Sequence, residues 1–119
     1  MDFTIITPSL NYGKFLEDCL ASVAGQVGVS LEHLVIDGGS SDDSAEIAAR
    51  YPQAVWSQGK DKGMSDAINK GFQRAKGNWV MWLNADDRLK PGVLARMLAI
   101  LAESSADVVY GDWDFIDAD

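Results

Sequence analysis

Apolar residues along the chain fall into two rhythms. Short runs rich in β-branched and aromatic residues occur at Phe3-Thr4-Ile5-Ile6-Thr7, Glu32-His33-Leu34-Val35-Ile36-Asp37, Ala54-Val55-Trp56-Ser57, Trp79-Val80-Met81-Trp82-Leu83 and Ala106-Asp107-Val108-Val109-Tyr110. Their length and the turn residues around them predict five strands, the first stopped by Pro8. Between them, apolar residues recur at helical spacing. Phe15, Leu16, Cys19, Leu20, Val23 and Ala24 form one stripe in a helix from Lys14 to about Gln26, closed by Gly25 and Gly28. A short helix is predicted from Ser44 to Arg50, with Ser41 or Asp42 as its cap. A third runs from Ser65 to about Ala75, with Met64, Ala67, Ile68, Gly71, Phe72 and Ala75 inward. Lys90-Pro91-Gly92 opens a fourth, Pro91 in its first turn, carrying Leu94, Met97, Leu98 and Leu101.

Strands alternating with helices predict an α/β fold, a mostly parallel sheet with helices on both faces. The 119 residues suffice for one small domain. The last residues, Trp113-Asp114-Phe115-Ile116-Asp117-Ala118-Asp119, alternate like a strand that stops in mid-fold, so the sequence reads as a segment of something longer. A net charge of −8 argues against a nucleic acid polymer as partner, because phosphate contacts need clustered Lys and Arg. Cys19 is the single cysteine and lies on the apolar stripe of its helix, where it reads as packing. The sole histidine, His33, has no neighbouring ligand type. Trp56, Trp79 and Trp82 read as strand core.

Ligands of open parallel sheets bind beyond the carboxyl ends of the strands, and the unusual polar residues gather there. The first strand leads into Thr7-Pro8-Ser9 and the second into Asp37-Gly38-Gly39-Ser40. The loop after the third carries Asp61-Lys62-Gly63, with Asp66 in the next helix's first turn. The fourth ends in Asn84-Ala85-Asp86-Asp87. Carboxylates in such a crevice hold a hard divalent cation or accept hydrogen bonds from ribose and base. Other nucleotide chemistries fit less well. No Gly-x-Gly-x-x-Gly follows the first strand, as a dinucleotide oxidoreductase requires. The loop Pro8-Ser9-Leu10-Asn11-Tyr12-Gly13-Lys14 lacks the arginine and glycine cluster of a sugar-nucleotide pyrophosphorylase. An aspartyl phosphoryl-transfer enzyme would want an acid where Gly39 stands.

The set Thr7-Pro8-Ser9-Leu10-Asn11, Val35-Ile36-Asp37-Gly38-Gly39-Ser40-Ser41-Asp42, Asp61-Lys62-Gly63-Met64-Ser65-Asp66-Ala67-Ile68-Asn69-Lys70-Gly71 and Leu83-Asn84-Ala85-Asp86-Asp87 resembles the family 2 glycosyltransferases in order and spacing, over nearly the whole chain. The resemblance implies the Rossmann-like, nucleotide-sugar-binding half of a GT-A fold over residues 1–119, without the acceptor-binding half. It implies a nucleotide-sugar donor, commonly a UDP-sugar, and inverting transfer to a saccharide or lipid-linked saccharide acceptor, as in polysaccharide biosynthesis. It places Asp87 and Asp86 on Mg2+ or Mn2+, with Asp86 nearer the ribose. Pro8, Ser9, Asp37, Asp61, Lys62, Asp66 and Asn84 would line the nucleotide-sugar site. Gly38 departs from the pattern, since many members carry a second acid there that contacts uracil. The family's general base lies well beyond Asp87, in the acceptor half, and Asp112, Asp114 and Asp117 are not assigned that role. The usual setting of similar proteins is cytoplasmic, peripheral to the inner face of the membrane. The alternative reading is a non-catalytic fragment that self-associates as a homodimer or by strand exchange through Tyr110 to Asp119.

Overall fold

The computed structural model describes residues 1–111. The elements run β1 (Phe3–Ser9), α1 (Gly13–Ala24), β2 (Leu31–Asp37), α2 (Ser44–Ala48), β3 (Ala54–Gln58), α3 (Met64–Arg74), β4 (Trp79–Trp82) and α4 (Val93–Glu103). The strands form one four-stranded sheet in the order β3-β2-β1-β4, every pair parallel. The chain therefore steps outward from β1 to β3 and then crosses back to β4 on the other side of β1. That reversal makes the carboxyl end of β1 a topological switch point, where a crevice opens.

Strand alternation sorts the core into two faces. Phe3, Ile5 and Val35 look toward α1, α2 and α4. There, Cys19, Val23, Leu83 and Leu94 close one cluster, and Leu16, Leu20, Ile47 and Ala85 the next. Ile6, Leu34 and Ile36 look the other way, onto Ala67 of α3. Gly71 sets how closely that helix approaches. A Cβ there would lie 2.5 Å from the Ile6 Cγ2, so α3 rests on β1 through a residue without a side chain.

A single helix does not cover the whole second face. Val55 on β3 and Trp82 on β4 flank it and are 53% and 55% exposed. Trp82 thus corrects the expectation of a core residue, while Trp56 and Trp79 pack against the clusters. The run 79–83 has the apolar composition of a buried strand, whereas among the described residues β4 has only β1 beside it. On α3 itself, Met64 and Phe72 are exposed rather than inward. The helix presents a narrow stripe, centred on Ala67 and Gly71.

The remaining departures lie at element ends. β1 does not stop at Pro8 but pairs with β2 as far as Ser9 opposite Asp37. The Ser9 carbonyl accepts the Gly38 N–H, so the alternation turns the Pro8 nitrogen toward β4. The β4 pairing has already ended at Trp82 opposite Ile6, so the missing N–H interrupts no ladder. Helix α2 is shorter than expected, five residues ending at Ala48. Helix α4 begins after a left-handed Gly92 (φ 75°), with Pro91 preceding the helix instead of occupying its first turn. No strand forms over 106–110; Val108 and Tyr110 are 76% and 89% exposed. Asp112, Trp113, Asp114 and Asp117, and most of the segment expected to exchange, lie outside the described residues. Among the described residues, no helix is long and apolar enough to cross a membrane.

Candidate functional site

Two loops at the switch point are bound to each other before any ligand is considered. The Asn11 N–H donates to Ser40 Oγ (2.8 Å) and the Ser41 N–H to Asn11 Oδ1 (2.9 Å). This holds Asn11 in a left-handed conformation, φ 57°, which asparagine tolerates better than most residues. Asp42 adds a second tie. Its Oδ2 accepts the Gly13 N–H (2.8 Å) at the start of α1, and its Oδ1 accepts the Ser44 N–H (3.0 Å) and hydroxyl (2.5 Å) at the start of α2. The cap position expected of Ser41 or Asp42 falls instead to Asp43, whose side chain makes no capping hydrogen bond, while Asp42 ties together the first residues of the two helices. Those hydrogen bonds hold its carboxyl below the usual range, the Ser44 hydroxyl contributing most.

Asp37 ends β2 and is fully buried. Its Oδ1 accepts the N–H groups of Gly39 (2.8 Å) and Ser40 (2.6 Å) and the Gln58 amide (3.3 Å), and its Oδ2 accepts the Ser40 hydroxyl (2.5 Å). The carboxylate is therefore occupied in folding its own loop.

A cavity of about 250 Å3 opens at the strand ends, lined by Pro8, Ser9, Leu10, Tyr12, Asp61, Gly63, Met64, Ala67, Asn84, Ala85 and Asp86. Of the residues expected from sequence, Pro8, Ser9, Asp61, Asn84 and Asp86 thus share one wall system. Asp37, Lys62, Asp66 and Asp87 are not part of the lining. Leu10, Tyr12, Met64 and Ala67 are apolar contributors that motif reasoning missed. Leu10 and Tyr12 carried a signal in being large apolar residues in a turn cluster at a strand end.

Each wall has a local cause. Ser9 is carried in by β1, and its buried hydroxyl has no hydrogen-bond partner. Such an orphan is costly to keep unless something else satisfies it. Asp61 sits in the loop before α3, its Oδ1 accepting the Gly63 N–H (3.0 Å). Asp66 faces the same turn, accepting the Lys62 N–H (2.9 Å) with Lys70 Nζ at 3.6 Å. That backbone N–H, followed by Lys70, lowers its carboxyl below the usual value. Lys62 is exposed.

After β4, buried Leu83 and Ala85 anchor the chain, the Leu83 N–H donating to the Ile6 carbonyl (2.8 Å). The exposed Asp86 and Asp87 follow in a turn closed by the Asp87 N–H on the Asn84 carbonyl (3.0 Å). Trp82 Nε1 donates to Asn84 Oδ1 (2.9 Å) and orients that amide. The Asp87 carboxyl is raised by partial burial, then by the charge of Asp86, with an Asn84 hydrogen bond opposing.

Among the described residues no set of three or more His, Cys, Asp or Glu side chains is assembled to hold a metal ion. Two adjacent carboxylates, one with its ionisation opposed by the other, are oxygen donors of the kind a hard divalent cation prefers.

Comparison with known proteins agrees with this geometry. The family model for glycosyl transferase family 2 matches residues 4–119. A PGL/p-HBAD biosynthesis glycosyltransferase of Mycobacterium bovis is 38% identical over 117 residues, covering 92% of this chain and 46% of the relative. The chain thus spans about half the length of that relative. The structure of Staphylococcus aureus TarS 1–349 in complex with UDP-GlcNAc superposes with a TM-score of 0.82 at 26% identity, over 87% of this chain and 32% of that one. A mannosyltransferase of Pyrobaculum calidifontis in complex with GDP-Man and Mn2+ shares the fold, with a TM-score of 0.73 at 24% identity, over 85% of this chain and 32% of that one. Parallel sheet, crevice and matched residues together make this chain a member of glycosyl transferase family 2.

Proposed function

We propose that residues 1–119 are the nucleotide-sugar-binding part of an inverting glycosyltransferase that moves a sugar from a nucleoside diphosphate sugar, a UDP-sugar, to a hydroxyl on a saccharide or lipid-linked saccharide. The observation that carries this reading is the cavity at the switch point, which Ser9, Asp61, Asn84 and Asp86 line together. The UDP-GlcNAc complex of TarS and the Mn2+ complex of the mannosyltransferase support it by analogy.

In this reading Asp87 and Asp86 would hold Mg2+ or Mn2+. The cation, when bound, offsets the negative charge that builds on the departing diphosphate. Asn84, fixed by Trp82, and Asp86 position the ribose and phosphate end of the ligand. The apolar side chains of Leu10, Tyr12 and Met64 exclude water from the other end. An acceptor hydroxyl, deprotonated by a base beyond Asp87 in the chain, attacks the anomeric carbon as the bond to the diphosphate breaks, inverting that carbon.

Calorimetry with UDP in the presence and absence of Mn2+ tests the binding half of the proposal. Metal-dependent binding that Asp87→Ala abolishes is expected, together with loss of transfer by about 100-fold or more in that variant. Silence toward every nucleoside diphosphate, with and without Mn2+, overturns it.

A further inference from the structure

The following rests on the nucleotide-sugar reading above and concerns what holds the acidic turn in place. Asp86 and Asp87 are exposed, adjacent and of like charge. A turn left to itself would let them splay apart, and a cation would then have to order the backbone as it bound. No helix or strand lies between Trp82 and Val93 to prevent that. The backbone of this stretch must find its partners elsewhere.

On the side of Asn84 the anchorage is the sheet and its core. The Leu83 N–H donates to the Ile6 carbonyl, and Ala85 is buried in one cluster with Leu16 and Leu20 of α1. Beyond Asp87 the anchorage is α1 and the residues that close it. The Leu89 N–H donates to Ser22 Oγ (3.0 Å). The Ser22 hydroxyl directs its own hydrogen to the Cys19 carbonyl (2.8 Å), which leaves its lone pairs for Leu89. Four residues on, Gln26 is buried. Its Nε2 donates to the carbonyls of Lys90 (2.9 Å) and Ser22 (3.2 Å), and its Oε1 accepts the Leu94 N–H (3.1 Å). Helix α4 has Gly92 at its start and no side-chain cap of its own, so Gln26 fills that role from another element. Between these ties Leu89 packs on the cluster of Cys19 and Val23. The Arg88–Asp18 pair, 3.9 Å apart and exposed on both sides, adds little.

Helix α1 also begins directly after Tyr12, which lines the cavity. It therefore connects one wall of the cavity with the exit of the turn that bears the two acids. We infer that Ser22 and Gln26 are positioning residues for the cation: by fixing residues 89–94 along α1, they keep Asp86 and Asp87 presented together. Neither residue lines the cavity. Without them both carboxylates remain, but the turn samples arrangements in which the two do not face a common ligand. The cost then falls on the metal rather than on the nucleotide.

The test is calorimetry of UDP binding over a series of Mn2+ concentrations, with the melting temperature of each variant measured alongside. Ser22→Ala removes the acceptor for Leu89. It is expected to raise the Mn2+ concentration for half-maximal binding about threefold or more, while UDP affinity at saturating Mn2+ stays within about twofold. Gln26→Met, which keeps the length of the side chain without its hydrogen bonds, should raise the requirement further. Ser22→Thr retains the hydroxyl and should return it to the wild-type value. Leu34→Val loosens the opposite face of the sheet and should lower the melting temperature without moving the Mn2+ requirement. A rise below about threefold in Ser22→Ala, or an equal rise in Leu34→Val, means that the ties serve stability alone and overturns the assignment. The transferase reading then stands, because the wild type still binds UDP with Mn2+. No Mn2+-dependent binding by the wild type overturns both.

Discussion

Acidification should weaken this fold through one imidazole. His33 sits in the middle of β2, 1% exposed, its Nε2 2.7 Å from the Thr7 hydroxyl. Burial lowers its pKa from 6.5 to about 4. The folded state therefore keeps the ring neutral where the unfolded chain has protonated it. Its contribution to stability is whole above 6.5 and is lost as pH falls from there toward about 4. The unfolded chain binds up to one extra proton in that window, a slope approaching about 1.4 kcal/mol per pH unit. Over the whole interval the loss reaches about 3 kcal/mol, a large share of the roughly 5–15 kcal/mol that holds a domain together. The carboxyl groups act elsewhere or with the other sign. Asp42 and Asp66, held low, lose their contributions only below 3.8. Asp87, held high, favours the folded state as it protonates, so it opposes His33 near the acid end. Urea titrations followed by tryptophan fluorescence between roughly pH 5 and 6.5 isolate the histidine. His33→Gln, which retains a hydrogen-bonding group toward Thr7, should flatten the profile. A wild-type stability independent of pH in that range, or an unchanged slope in the variant, would refute the reasoning.

Further outcomes follow from packing. Gly71→Ala drives a methyl into Ile6 and should destabilise the fold by about 1–3 kcal/mol in denaturant titration; a neutral effect would mean that α3 lifts freely from β1. Burial pushes the Cys19 thiol up to about 12, so at about pH 8 it should resist alkylation in the native protein and react promptly in denaturant, as mass spectrometry would record.

Fold class was legible because a parallel sheet writes its strands as short apolar runs and its helices as stripes, and neither signal needs tertiary information. The α1 stripe through Leu16, Cys19, Leu20 and Val23 is buried as its spacing predicts. What sequence could not supply was coverage. Trp82 and Val55 have the composition of core residues, yet their exposure depends on how far α3 reaches across one face. The run 106–110 has strand composition without a strand conformation, because pairing requires a neighbour that local sequence does not provide. The site divides in the same way. Motif position brought Ser9, Asp61, Asn84 and Asp86 to a common cavity. The different condition of Asp37 and Asp61, one consumed by its loop and the other open, depends on hydrogen bonds from Gly39, Ser40 and Gln58 that no spacing rule encodes.

Pairing of β1 with β4 joins residues far apart along the chain, Phe3 beside Trp79. The intervening strands and helices must be synthesised before that seam can close, and loop closure of this kind slows folding. The wall bearing Asn84 and Asp86 follows directly from β4. The crevice is therefore complete only once that long-range pairing has formed, and a nucleotide that bridges β1 and β4 would act as a clasp on that seam, retarding its reopening.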